Sequence, residues 1–257
     1  MTHRRTERFR SGTGLAYRMH TSPAPAPGLP VFVLLHGIGM SHRYLEKLHR
    51  ELNTSGTVIS FDLPGFGGTP KPDSAVTVEQ YAELVGHALR RAAVTRCVVI
   101  GHSMGCQFAV ELARQHPELV SHAVLIGPVV DSHRRSVLRQ ALALAVDSLG
   151  ERPSTNAIVF TDYLRCGPKW YLTALPQMMD YPTEDRITDV VVPVLVLRGT
   201  RDPIAGRVWS AALAARAPGG RVLELSGNHV VQDSAPGQVA EAIRSFVADP
   251  LAVGGRP

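Results

Sequence analysis

The stretch that decides the fold is Cys97-Val98-Val99-Ile100-Gly101-His102-Ser103-Met104-Gly105-Cys106. Val98 to Ile100 is a short apolar run that reads as a buried strand, and it stops at Gly101-His102-Ser103-Met104-Gly105. Cys106 to His116 has helical spacing, with Phe108, Leu112 and Ala113 expected on an inner face and Glu111 and Arg114 on an outer one. A serine therefore sits at the apex of a strand–turn–helix unit, in the pattern G-x-S-x-G. Such a tight turn strains the serine backbone and leaves no room for side chains two residues away on either side, so glycine is needed at 101 and 105. The turn also sets the Met104 N–H at the start of a helix, where donors are unpaired and negative charge is favoured. The pattern alone is weak: with 16 serines and 23 glycines in 257 residues, about 0.13 matches arise by chance. The strand before and the helix after carry the weight. An ordinary phosphate-binding loop would need a lysine or a G-x-G-x-x-G run, and neither is present.

Outward from this turn, apolar strands alternate with helices. Val31 to Leu35, Thr57 to Phe61, Ala123 to Ile126, Val194 to Leu197 and Arg221 to Leu225 read as further strands. Continuous apolar runs joined by helices imply a mostly parallel, doubly wound sheet of about eight strands, opened by a hairpin over residues 6–20. Helices are expected from Ser41 through Leu52, from Thr77 to Ala93, from about Ala205 to Arg216 and from Gln238 to Val247. The alternation breaks at 128–182, where Leu138 to Leu149, Asn156 to Leu164 and Pro168 to Met179 have helical spacing and no strand is evident. The expected organisation is a core of 1–127 and 183–257 with a helical insertion, 128–182, after the sixth strand. The tail, Leu251 to Pro257, is expected to fray.

Bulk composition excludes several classes. Apolar residues make up 44% and charged residues 19%, as in ordinary globular proteins, and no apolar run reaches the length of a membrane span. The basic start, Met1 to His20, is followed by no apolar stretch, so no secretory signal is read. Three cysteines without metal spacing argue against a disulfide framework, and Cys97 and Cys106 read as small buried residues. Together these point to the cytoplasm. The net charge of +5 is carried by scattered arginines and comes with no nucleic-acid module. Arg134, Arg135 and Arg139 read as a solvated helix face rather than an anion site. The expected partner is a small molecule, with no nucleic acid and no membrane, and oligomeric state is open.

A serine hydroxyl needs a base to take its proton, and the base needs an orienting group. In a parallel sheet the loops at the strands' carboxyl ends share one rim. After Ser103, the strand at Val194 to Leu197 runs into Gly199-Thr200-Arg201-Asp202, and the strand at Arg221 to Leu225 runs into Ser226-Gly227-Asn228-His229. The order Ser103, Asp202, His229 is a serine–acid–histidine order. Asp202 has a competing reading as the cap of the helix that follows, and Asp131, after the strand Ala123 to Ile126, is the rival acid.

With these residues in place, the chain resembles the α/β-hydrolase superfamily over nearly everything outside 128–182. The resemblance rests on His36-Gly37, Asp62-Leu63-Pro64-Gly65-Phe66-Gly67, Gly101-His102-Ser103-Met104-Gly105, Gly199-Thr200-Arg201-Asp202 and His229, in family order. It implies a Ser103, Asp202, His229 triad, an oxyanion hole from the N–H groups of Ile38 and Met104, and a substrate-shaping cap at 128–182. Trp170, Tyr171, Met178 and Met179 are candidate lining residues of an acyl pocket, or simply hold the cap down. His36 and His102 are expected as structural neighbours of the site, and His42, His87, His116 and His122 as surface or helix residues. Serine at 103 argues against the carboxylate-nucleophile branches of the superfamily. The implied activity is that of a serine esterase on small to medium carboxylic esters, with neither metal nor organic cofactor. Alternatives are a carbon–carbon hydrolase of ring-cleavage products, a cofactor-free perhydrolase, or a silent ligand-binding relative.

Overall fold

Each apolar run becomes a strand of one eight-stranded sheet in the computed structural model, which describes residues 4–132, 136, 150 and 153–249. The strands are β1 (Arg5–Arg10), β2 (Ala16–Ser22), β3 (Val31–Leu35), β4 (Thr57–Asp62), β5 (Cys97–His102), β6 (Val120–Ile126), β7 (Val194–Gly199) and β8 (Arg221–Leu225). Their order is β1-β2-β4-β3-β5-β6-β7-β8. The hairpin β1–β2 joins antiparallel, β2 also meets β4 antiparallel, and every pairing from β4 onward is parallel.

Side chains alternate between the two faces, as a period of two requires. Val33, Leu35 and Val99 join one core cluster, and Phe32, Leu34, Val98 and Ile100 join the other. The first cluster is covered by α2 (Val78–Arg91), α3 (Gly105–Gln115) and the later α7 (Arg207–Arg216); the second by α1 (Glu46–Asn53), the short α8 (Val231–Ser234) and α9 (Pro236–Ala248). Thr77 and Gln80 form a reciprocal capping box that starts α2. Between β6 and β7 lie α4 (Pro153–Cys166), α5 (Pro168–Asp180) and the short α6 (Thr183–Arg186). The expected helix Leu138 to Leu149, the arginines at 134, 135 and 139, and the tail after 250 lie outside the described residues. Among the described residues no helix is long and apolar enough to cross a membrane.

Several local expectations are corrected. Ser41 opens a 3₁₀ turn, His42–Leu45, before α1 rather than one continuous helix. Helix α7 begins at Arg207, with Gly206 as its N-cap, and not at about Ala205; Ile204 and Ala205 belong to the loop whose N–H groups bond the Asp202 carboxylate (2.8 and 2.9 Å). Glu111 does not face water: α3 is covered on this side by the 167–182 segment, and the buried Glu111 carboxylate accepts from Tyr181 (2.7 Å) and Arg114 (2.6 Å). His116 and His122 are buried and His42 is half-buried; of the four, only His87 is exposed.

Candidate active site

The turn after β5 has the conformation that its glycines imply. Ser103 sits at φ +56°, in the left-handed region that costs a side-chain-bearing residue energy. A Cβ on Gly101 would lie 2.1 Å from the Gly105 carbonyl oxygen, and one on Gly105 would lie 2.2 Å from the Leu35 carbonyl oxygen. The turn is thus locked both to itself and to the end of β3. The Ser103 N–H is held by the Ile126 carbonyl (2.9 Å), which ties the serine to the end of β6. Helix α3 starts at Gly105 immediately afterwards. Neither the N–H of Met104 nor that of Ile38 has an acceptor among the described residues. The loop carrying Ile38 lies against the serine: a Cβ on Gly37 would be 3.0 Å from Ser103 Cβ.

The loops after β7 and β8 meet at the same rim. Asp202 Oδ2 is 2.9 Å from His229 Nδ1, and both side chains are buried. The other carboxylate oxygen accepts from the N–H groups of Ile204 (2.8 Å) and Ala205 (2.9 Å). Asp202 therefore does not cap the helix that follows, whose N-cap is Gly206 with no side-chain cap bond; one oxygen ties down its own loop and the other meets His229. Burial pushes the Asp202 carboxyl up, but the His229 charge and hydrogen bond, with the Ala205 and Ile204 N–H groups, outweigh it and hold the group below its usual range. Asp131 is half-buried, and the carboxylate at His229 Nδ1 is that of Asp202.

Two residues that the sequence did not single out support this pair. The buried Arg198, at the end of β7, donates to the carbonyls of Asp202 (3.1 Å) and Ala205 (2.6 Å) and to Glu224 (2.6 Å). Gly127, at φ +58°, passes under the imidazole: a Cβ there would lie 2.9 Å from the ring of His229. Since Ile126 holds the Ser103 N–H and Gly127 carries the His229 ring, adjacent residues bring serine and histidine to one place. The ring of His102 also packs against that of His229, with centroids 4.7 Å apart and planes tilted by 53°.

The α4–α5 helices sit over the loops after β3 and β4. Gly167, at φ +72°, makes the sharp corner between them. A Cβ on Gly39 would meet the Tyr163 ring at 2.6 Å, and one on Gly65 would meet Trp170 Nε1 at 2.0 Å. Buried Asp162 accepts from Ser41 Oγ (2.5 Å) and Arg43 Nη1 (2.9 Å). Gln107 Nε2 donates to the Met178 carbonyl (2.9 Å). Trp170, Met178 and Met179 are buried in the larger core cluster and Tyr171 packs at its margin, edge-on to Tyr163. Trp170 thus packs between Phe66 and the Gly65 backbone.

A second carboxylate–histidine cluster lies at the end of β4. The buried Asp62 accepts from His20 Nε2 (3.0 Å) and from His42 through both the ring Nδ1 (2.9 Å) and the backbone N–H (2.8 Å). Among the described residues it is the one trio with metal-ligand atoms. The two imidazoles stack at 3.5 Å with planes 19° apart, so their in-plane lone pairs run nearly side by side and do not converge on a cation about 2.1 Å from each. The trio is a hydrogen-bonded anchor that joins β2, β4 and the turn at 42–45.

Comparison with known proteins agrees with the architecture. A family model described as "Alpha/beta hydrolase family" matches residues 32–242. The chain is 23% identical over 244 residues to a 2-(acetamidomethylene)succinate hydrolase of Mesorhizobium japonicum, covering 85% of this chain and 88% of that one. It is 34% identical over 114 residues to an sn-1-specific diacylglycerol lipase, ABHD11, of Xenopus tropicalis, covering 44% of this chain and 34% of that one. The chain spans less than half the length of such relatives at 34% identity. Among solved structures, the enol-lactonase from Burkholderia xenovorans superimposes with a TM-score of 0.82 at 20% identity, over 95% of this chain and 100% of that one. With the family match spanning most of its length and the fold shared throughout, the chain belongs to the alpha/beta hydrolase family.

Proposed function

We propose that this protein is a serine hydrolase that cleaves small to medium carboxylic esters through an acyl-enzyme. The observation that carries the reading is the Asp202–His229 hydrogen bond (2.9 Å) beside the strained Ser103 turn. Asp202 holds the imidazole with Nδ1 protonated, which leaves Nε2 as the base. His229 Nε2 takes the Ser103 proton as Oγ attacks the carbonyl carbon. The oxyanion is stabilised by the N–H groups of Ile38 and Met104. His229 then returns the proton to the leaving alkoxide, and a water activated by the same imidazole releases the acid and regenerates Ser103.

The α4–α5 helices form the cap over this rim, within residues 128–182, and the Trp170, Tyr171, Met178 and Met179 side chains border the acyl pocket. Three relatives whose names place them on a lactone, a diacylglycerol and an acetamidomethylene acid support acyl chemistry as the common class. All three cysteines, Cys97, Cys106 and Cys166, are free and buried, which suits a reducing compartment such as the cytoplasm.

The test is hydrolysis of p-nitrophenyl acetate and butyrate by the wild type and by Ser103→Ala. The reading expects turnover by the wild type and none above background by the variant. Full activity in Ser103→Ala would refute the assignment. Loss of absorbance from a dienone substrate, with no ester turned over, would move the reaction to carbon–carbon cleavage by the same triad.

A further inference from the structure

A continuous chain of hydrogen bonds runs beneath the site and touches all three of its loops. The N–H of Gly37 donates to Tyr44 Oη (2.7 Å). Tyr44 Oη is 2.8 Å from His102 Nδ1, and His102 Nε2 is 3.0 Å from the backbone carbonyl of His229. Gly37 precedes Ile38, His102 precedes Ser103, and the last link falls on His229 itself. Tyr44 is 1% exposed and His102 2%, so water does not substitute for any link.

The ends of the chain fix its direction. A backbone N–H can only donate and a backbone carbonyl can only accept. His102 must therefore carry a proton on Nε2. Burial, with the neighbouring His229, lowers the His102 pKa to about 3, so the ring is neutral and holds that one proton. Nδ1 is then an acceptor, and Tyr44 donates to it. Every donor and acceptor in the chain is used once in the same sense: Gly37 to Tyr44, Tyr44 to His102, His102 to His229. The rings interlock as well, Tyr44 on His102 at 5.2 Å and His102 on His229 at 4.7 Å.

We propose that Tyr44 and His102 are positioning residues that hold the oxyanion loop, the nucleophile turn and the base in one register. This rests on the triad reading above. Neither residue touches substrate; each sets the distance between groups that do. The proposal differs from a purely structural role, in which loss of the chain would lower stability and leave each folded molecule fully active.

The experiment uses Tyr44→Phe and His102→Gln, singly and together, on the full chain. Active sites are titrated with a fluorophosphonate, so that kcat refers to folded enzyme only. Each single variant is expected to lose about tenfold in kcat, with KM within about threefold, as befits one buried hydrogen bond. The double variant is expected to lose little more, because the links act in series. His49→Gln removes a buried imidazole that bridges Ser22 and Ser60, away from the chain, and serves as the control: melting temperature falls and kcat holds. Nitrogen-15 shifts of His102 are expected to show the Nε2–H tautomer in the wild type and a mixture in Tyr44→Phe. Unchanged kcat in Tyr44→Phe, additive losses in the double variant, or an Nδ1–H tautomer would each overturn the proposal. The tautomer is read without substrate, so this proposal can fail while the triad stands, and the triad can fail by Ser103→Ala while the tautomer stands.

Discussion

Asp62 and Asp202 are both buried carboxylates at the ends of parallel strands, and both accept from histidine and from backbone N–H groups. They differ in how their oxygens are used. Asp62 takes two stacked imidazoles, and His20 spends its other nitrogen on Thr6 Oγ1 (2.9 Å). Asp202 commits one oxygen to the backbone of its own loop and the other to a single imidazole, whose ring rests on Gly127 beside the Ser103 turn. A histidine next to an aspartate is therefore no sign of chemistry by itself. What distinguishes the second pair is its setting: the His229 ring lies on Gly127, next to the Ile126 carbonyl that holds the Ser103 N–H.

The sharpest way to break this contrast is to replace each acid by its amide. Asp202→Asn is expected to cut kcat by about 10⁴-fold with little change in KM, because the imidazole loses its tautomer and its counter-charge. Asp62→Asn is expected to leave kcat per titrated site within about threefold. It instead lowers unfolding stability by about 3 kcal/mol, since two buried imidazoles lose their shared acceptor. Urea melts beside steady-state rates separate the two. Equal losses of kcat would erase the distinction.

A finer test addresses how Asp202 is aimed. Arg198 bonds both carbonyls that flank its loop. Arg198→Met leaves those carbonyls unpaired and is expected to cost about tenfold in kcat. Arg198→Lys is expected to recover part of it, because an ammonium reaches one carbonyl but not two.

A further test reads stability against pH. Burial lowers the pKa of His36, and that of His49 and His102 to about 3 each. Below about pH 6.5 the unfolded chain binds protons at these rings that the fold refuses, so stability falls with pH by about 1.4 kcal/mol per group per unit. The depressed carboxyls of Asp62 and Asp202 add a loss of the same sign once pH drops below about 4. Melting temperature is thus expected to decline from pH 7 to pH 5. His49→Gln should make that decline shallower while lowering the plateau, and an unchanged slope would contradict the assignment.

The Asp202–His229 pair was legible in the sequence because each member follows a short strand pattern: the apolar run Val194 to Leu197 leads to Asp202, and Arg221 to Leu225 leads to His229. The Asp62 cluster was not, because His20 comes from an antiparallel hairpin strand and His42 from a short turn, and no local pattern pairs them. Tyr44 lies within the helix expected from Ser41 through Leu52, and nothing in that pattern marks its hydroxyl, which matters only through Gly37 and His102. Glu111 read as solvent-facing because helical periodicity reports polarity within one helix. It cannot report that Tyr181, 70 residues on, covers it. The segment between β6 and β7 was the least legible. Its helices α4 and α5 keep Phe160, Leu164 and Leu172 exposed while burying Asp162, the reverse of the pattern that an amphipathic reading assumes.

The central claim is that His229, oriented by Asp202, makes Ser103 a nucleophile. The most direct measurement is the second-order rate of fluorophosphonate labelling, with the adduct located by peptide mass, in the wild type and in His229→Ala. The account predicts a single adduct on Ser103 whose rate falls at least about 10³-fold without the imidazole. Labelling elsewhere, or on Ser103 at an unchanged rate in His229→Ala, would contradict it.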